Sequence, residues 1–216
     1  MNPLIEVLRF YFITDDNAPE SSPVDQVRVA IEGGATLIQY RNKSYDDSFL
    51  REVIRIRDFC RQKGVGLVIN DHIDLAVQVG ADGVHLGQSD DSPALARQQM
   101  GPEAIIGASV SDLAELAATD LGPCDYIGAG PVFTTGTKAD AKAVKGLAGF
   151  QEIVKKASAP VVAIGGITAE NARACFEHGA AGIAVISYIS RAKNPIENAR
   201  KLGDVCRGGF GTEPRI

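Results

Sequence analysis

The chain has 216 residues, of which 45% are hydrophobic and 23% charged, proportions that fit a folded globular protein and exclude a disordered one. No run approaches the roughly 18 uninterrupted apolar residues of a membrane-spanning helix, so no membrane partner is expected. A formal net charge of −5 lacks the basic surplus of a nucleic-acid binder, yet leaves room for a small basic pocket that takes an anionic ligand.

Short apolar runs and amphipathic segments alternate along the chain. A strand is expected at residues 9–14 (RFYFIT) and a helix at 24–32. A second strand at 36–40 (TLIQY) precedes a helix at 47–62, where Asp46 is a cap candidate. The strand at 65–70 (VGLVIN) leads to a helix at Ile73–Val79, and GVHL at Gly83–Leu86 to a helix at Pro93–Met100 with Ser92 just before it. Strands at 104–109 and 125–130 flank a helix at 112–118. A helix at 147–157 precedes the strand at 160–166. The helix at 169–178 begins near Thr168, with Asn171 as an imperfect capping-box partner. The last strand is 182–187 and the last helix 195–206. Gly33, Gly34, Gly64, Gly80, Gly101 and Gly179 mark helix ends.

The strands read as nearly continuous apolar runs, the pattern of a parallel sheet buried on both faces. Eight β–α pairs point to an α/β fold, a single-domain (β/α)8 TIM barrel over residues 1–216. Its core would run over about 9–207, with a flexible tail at 208–216. A doubly wound open sheet shares the alternation; compact GADG and GAAG turns at 80–83 and 179–182 favour the barrel. Between Gly130 and Val144 lies a long Thr-, Gly- and Lys-rich connection, the form of a functional lid.

The four cysteines, Cys60, Cys124, Cys175 and Cys206, are far apart with no CxxC pair, so reduced structural thiols are expected rather than zinc or disulfides. The opening MNPLIEVLRFYF lacks the pattern of a signal peptide, which points to a cytoplasmic protein. Oligomeric state is left open by the sequence; a homo-oligomer is compatible with it.

In a barrel, functional residues gather at the C-terminal strand ends. Read there, the sequence offers three groups. Arg41, Lys43 and Lys138, with Gln39 and Asn70, suit a polyanion such as a diphosphate. Asp71 and Asp90 are hard oxygen ligands of the kind that hold Mg²⁺. Gly165 and Gly166 with Ile186 and Ser187 follow the seventh and eighth strands, the recurrent barrel phosphate site. Plainer alternatives stand beside each: a solvated loop at 39–43, Asp71 as a helix cap, Asp91 as cap of the Pro93 helix, and Gly165–Gly166 as a tight turn only. His72, His85 and His178 read as structural, His85 being core-facing or supporting the site from behind; no nucleophilic triad is visible.

The motifs YFITD (11–15), IQYRNK (38–43), INDHIDLAVQVGADGVHLGQSD (69–90), DYIGAGPVFTTGTKAD (125–140), AIGGI (163–167) and VIS (185–187) run from the first strand to the last. Through them the chain resembles the thiamine-phosphate synthase (thiamine-phosphate pyrophosphorylase) family. The resemblance implies a TIM-barrel transferase of thiamine biosynthesis. Such an enzyme joins a hydroxymethylpyrimidine diphosphate to a hydroxyethylthiazole phosphate, with Mg²⁺, and releases diphosphate. It implies a pyrimidine-diphosphate site at Gln39, Tyr40, Arg41, Asn42, Lys43, Asn70, Ser109 and Lys138. It places Mg²⁺ on Asp71 and Asp90, and the thiazole phosphate on Thr135, Gly136, Thr137, Gly166, Ile186 and Ser187. Lys138, Arg41, Lys43 and Ser109 would be the catalytic group. The sequence departs from the family pattern at Ser111, where GxSxH has a histidine, and at Thr134, where many members have proline. Two other functions share these features in part: a thiazole tautomerase on the same fold, and a non-catalytic sensor of a phosphorylated ligand. The intact QYRNK run, the aspartate pair and Lys138 favour the synthase.

Overall fold

The computed structural model describes residues 3–135 and 144–208. Eight strands close a barrel in sequence order: β1 (Phe10–Ile13), β2 (Leu37–Tyr40), β3 (Gly66–Asn70), β4 (Gly83–Leu86), β5 (Ile105–Val110), β6 (Tyr126–Ala129), β7 (Val161–Ile164) and β8 (Gly182–Val185). Every pairing is parallel, and β1 bonds to both β2 and β8, which excludes the open sheet. The helices are α1 (Pro3–Leu8), α2 (Pro23–Glu32), α3 (Leu50–Lys63), α4 (Ile73–Val79), α5 (Pro93–Met100), α6 (Leu113–Ala118), α7 (Gly146–Lys156), α8 (Ala172–Glu177), α9 (Ser187–Ser190) and α10 (Pro195–Arg207). Among the described residues no helix is long and apolar enough to cross a membrane.

Local chemistry explains most boundaries. At α2 the Ser22 hydroxyl accepts from the Asp25 N–H, and at α5 the Ser92 hydroxyl accepts from the Leu95 N–H; in both, proline opens the first turn. Ser92, not Asp91, is therefore the cap of α5. Gly64 and Gly80 end α3 and α4 in the left-handed conformation, at φ 67° and 63°. The expected helix over 47–62 is divided. Asp46 caps a short 3₁₀ turn, Asp47–Phe49, by accepting from the Ser48 N–H, and α3 follows. The expected helix over 169–178 shortens to α8, because Asn171 Oδ1 accepts from the Thr168 N–H and closes a turn before the helix begins. The short helices α1 and α9 have no counterpart in the sequence reading. The expected tail at 208–216 lies outside the described residues beyond Gly208.

Strand register sorts side chains into two layers. Phe10, Phe12, Ile38, Ile69, Val84, Ile106, Ile127 and Ile183 fill the layer between sheet and helices. Tyr11, Ile13, Leu37, Val68, Tyr126, Val162 and Ala184 form a smaller cluster inside the barrel. Both faces of each strand are covered, hence the unbroken apolar runs. Glycine makes room inside: a Cβ at Gly107 would lie 2.2 Å from the Tyr126 ring. The cysteines are free, and burial pushes the thiols of Cys60, Cys175 and Cys206 up to about 12.

Candidate active site

A cavity of about 470 Å³ opens where the strands end in loops. It is lined by Gln39, Arg41, Lys43, Asn70, Asp71, Asp90, Ser109, Thr135, Gly166, Ile186 and Ser187, so these sequence-proposed residues share one chamber. Tyr40 and Asn42 do not line it. Gln39 faces inward from β2, so its neighbour Tyr40 faces outward. There the Tyr40 hydroxyl donates to Glu52 of α3 at 3.0 Å, and Asn42 Nδ2 lies 3.4 Å from the same hydroxyl. Gly136, Thr137 and Lys138 lie outside the described residues.

One wall carries charge. Lys43 Nζ donates to Asp71 Oδ2 at 2.8 Å, and Asp90 Oδ2 accepts from the Gly87 N–H at 2.6 Å. Asp71 adopts φ 65°, a left-handed conformation that Asp tolerates better than most residues, and its N–H donates to the His85 carbonyl. Position 72, not 71, is the N-cap of α4, and no side chain caps it, so the capping alternative for Asp71 falls away. Burial alone would raise the Asp71 carboxyl. The Lys43 ammonium, with hydrogen bonds from Asp90 and Asn70, outweighs burial and holds it below the usual range. Asp90 is pushed above that range, first by burial and then by the facing Asp71. Two hard-oxygen carboxylates thus meet beside a lysine at the mouth.

The floor is a hydrogen-bonded chain drawn from five strands. Gln39 Nε2 donates to the Tyr11 hydroxyl at 2.6 Å, and the Tyr11 and Tyr126 hydroxyls are 2.8 Å apart. Tyr126 reaches His85 Nδ1 at 3.0 Å, and His85 Nε2 reaches Ser109 Oγ at 2.9 Å. Between Tyr11 and Tyr126 either hydroxyl can be the donor, and Tyr11 also accepts from Gln39. His85 bridges Tyr126 and Ser109 through its two ring nitrogens, each of which donates or accepts according to the tautomer. Burial pushes both phenols up, so both stay protonated. A Cβ at Gly128 would lie 3.2 Å from His85 Cε1, so glycine there lets the ring approach β6 closely.

The opposite wall is backbone. Gly165 and Gly166 have φ of 100° and 63°. The loop after β6 crosses directly over them: the Val132 N–H donates to Ile164 O, the Phe133 N–H to Gly165 O, and a Cβ at Gly166 would meet Thr134 O at 2.4 Å. The two glycines are therefore both a tight turn and the bed on which this loop rests. That contact brings Thr135 to the cavity alongside Ile186 and Ser187.

The cavity is also lined by Tyr11 and Ile13, which sequence reading passed over as site residues, and by Gln88 and His85. The signal for His85 was its alternation with Val84 and Leu86, both of which are buried in the outer layer. The remaining histidines are structural: His178 closes α8 with Nδ1 2.8 Å from the Ala174 carbonyl oxygen, and His72 is exposed at the start of α4.

A parallel (β/α)8 barrel whose strand-end cavity has cations and paired carboxylates on one wall and glycine backbone on the other has the architecture of a barrel enzyme. The family model for thiamine monophosphate synthase matches residues 10–189. A thiamine-phosphate synthase of Azorhizobium caulinodans is 45% identical over 197 residues, covering 90% of this chain and 93% of that one. One from Bacillus velezensis is 41% identical over 207 residues, covering 94% and 92%. A solved thiamine phosphate pyrophosphorylase from Pyrococcus furiosus superposes with a TM-score of 0.85 at 37% identity, covering 96% of this chain and all of that one. The chain belongs to the thiamine monophosphate synthase family and is an enzyme of the transferase class.

Proposed function

We propose that the enzyme joins 4-amino-2-methyl-5-hydroxymethylpyrimidine diphosphate to 4-methyl-5-hydroxyethylthiazole phosphate, giving thiamine phosphate and diphosphate. The observation that carries this reading is the convergence of two unlike anion-binding walls on one cavity. Arg41 and Lys43 face the diphosphate, while Gly166, Ile186 and Ser187 face the thiazole phosphate, with Thr135 beside them. Lys138 joins the first wall and Gly136 and Thr137 the second in this reading, although all three lie outside the described residues.

Asp71 and Asp90 suit Mg²⁺ by their chemistry. They are adjacent carboxylates whose mutual repulsion a divalent cation relieves, and two protein carboxylates plus phosphate oxygens and water are its usual ligands. When bound, the ion supplies positive charge against which diphosphate departs. The chain's own residues do the rest. Arg41, Lys43 and Lys138 stabilise negative charge as the pyrimidine methylene C–O bond breaks and its electron pair leaves with diphosphate. The ring amino group stabilises the resulting benzylic-type cation, and the thiazole nitrogen lone pair forms the new C–N bond. Ser109 and Gln39, held from beneath by the phenol–histidine chain, orient the pyrimidine. Ile13, Val162 and Ile164 keep water from the cation. No protein nucleophile is needed.

The test is diphosphate release by purified protein given both substrates, with Mg²⁺ and then with EDTA. Mg²⁺-dependent release matched by thiamine phosphate is the expected result. Thiazole phosphate bound or isomerised without diphosphate release would move the protein to the tautomerase or sensor reading.

A further inference from the structure

The β1–α2 loop holds both walls of the cavity. Its residues Asp15 and Asp16 are adjacent, yet they bond to opposite sides. On the β8 side, Asp15 is 2% exposed. Its Oδ2 accepts from Arg191 Nε at 2.6 Å and from the Ser190 hydroxyl at 3.0 Å, and its Oδ1 accepts from Arg191 Nη2 at 3.2 Å. Ser190 closes the short α9 segment that starts at Ser187, and Arg191 follows it. On the β2 side, Asp16 Oδ1 pairs with Arg41 Nη1 at 3.6 Å, and Asp16 Oδ2 accepts from the Lys43 N–H at 2.9 Å. Thr14 completes that side, its hydroxyl accepting from the Arg41 N–H and donating to the Arg41 carbonyl.

The loop is itself anchored. Buried Gln26 of α2 accepts from the Asp15 N–H and donates to the Asp15 carbonyl, both at 2.9 Å. Rigid attachment to a helix, with one carboxylate committed to each wall, is how a strut is built. Because β1 is paired with both β2 and β8, this loop is the one placed to touch both walls.

We propose that Asp15 and Asp16 are positioning residues that separately set the two anion sites: Asp15, through Arg191 and Ser190, orients the Ile186–Ser187 segment, and Asp16 orients Arg41 and Lys43. The inference rests on the reading that these walls bind the phosphate and diphosphate of two substrates. Neither carboxylate touches substrate. Each acts by fixing the groups that do, so loss of one loosens one site and spares the other.

The test is steady-state kinetics on Asp15→Asn, Arg191→Gln and Asp16→Asn, varying each substrate with the other saturating. Arg191 is partly exposed, so its replacement is a second probe of the Asp15 arm that does not depend on tolerance of a buried change. Asp15→Asn and Arg191→Gln are expected to raise KM for the thiazole phosphate about tenfold while KM for the pyrimidine diphosphate stays within about twofold, and Asp16→Asn is expected to do the reverse. Equal rises in both KM values, or a fall in kcat alone, would show a general structural role and overturn the proposal. Calorimetric binding of inorganic phosphate and inorganic diphosphate separates this from the reaction. A wild-type protein without turnover, but with the same selective losses in anion binding, removes the proposed reaction and keeps the strut. Turnover in the wild type without selective losses removes the strut alone.

Discussion

The hydroxyls of Tyr11 and Tyr126 meet 2.8 Å apart inside the barrel, two phenols from strands 115 positions apart in sequence that link Gln39 on one side to His85 and Ser109 on the other. Tyr11 is 2% exposed and Tyr126 is fully buried, so both hydroxyls depend chiefly on protein partners. Tyr126→Phe removes the hydroxyl that joins Tyr11 to His85 Nδ1 and leaves both without that partner. The expected loss of stability is about 1–3 kcal/mol, read by urea unfolding. Turnover should fall about fivefold or more as Ser109 and Gln39 lose their orientation. Full stability together with full activity would show that the chain of hydrogen bonds has no role.

The pairing of Asp71 with Asp90 calls for a substitution that removes charge without disturbing backbone. At φ 65° an alanine would add strain of roughly 1 kcal/mol, whereas asparagine tolerates that region. Asp71→Asn should therefore fold normally by circular dichroism. It should lose turnover by about 100-fold, along with its response to Mg²⁺. A wild-type rate with a wild-type Mg²⁺ response would sink the metal assignment.

Lys138 stands three positions beyond Thr135 in the sequence. Lys138→Ala is expected to slow diphosphate release by about 100-fold, the scale of losing one charge aimed at the departing group. KM for the thiazole phosphate should change little. Single-turnover release assays decide the matter, and an unchanged rate removes Lys138 from the mechanism.

Asp15 makes acid stability measurable. Burial alone would raise its carboxyl, but the hydrogen bonds from Arg191 and Ser190 prevail and hold it below the usual range. A carboxyl lowered in the folded state stabilises that state at every pH above its unfolded value, about 3.9. The contribution then disappears as pH falls through the folded value. Unfolding measured from pH 7 down to pH 3 should show Asp15→Asn less stable than wild type by about 1–2 kcal/mol near neutrality, a pair partly exposed to solvent being worth no more. The gap should narrow below about pH 4. A gap independent of pH would mean that the Asp15 charge does not contribute.

Much of the molecule was legible in the chain itself. The helix start at Pro93, the stops at Gly64 and Gly80, and the double-sided apolar strands follow from rules acting within a few residues. The residues of the mouth were legible for a related reason. A barrel sends the residues at the ends of its strands to one place, so Arg41, Asp71, Asp90, Ser109 and Ser187 could be grouped without knowing any distance between them.

Tertiary structure decided what depends on facing and on contacts between distant segments. Parity along β2 turned Gln39 inward and Tyr40 out to Glu52, although the two adjoin in the same motif. Register across β1, β4, β5 and β6 assembled Tyr11, His85, Ser109 and Tyr126 into one chain, and so gave His85 a supporting place in the site. Closure of β1 on β8 brought Asp15 to Arg191 across 176 positions of sequence. Local propensity carries no record of which strand lies beside which. Sheet register and barrel closure do, and they determined which polar groups became partners.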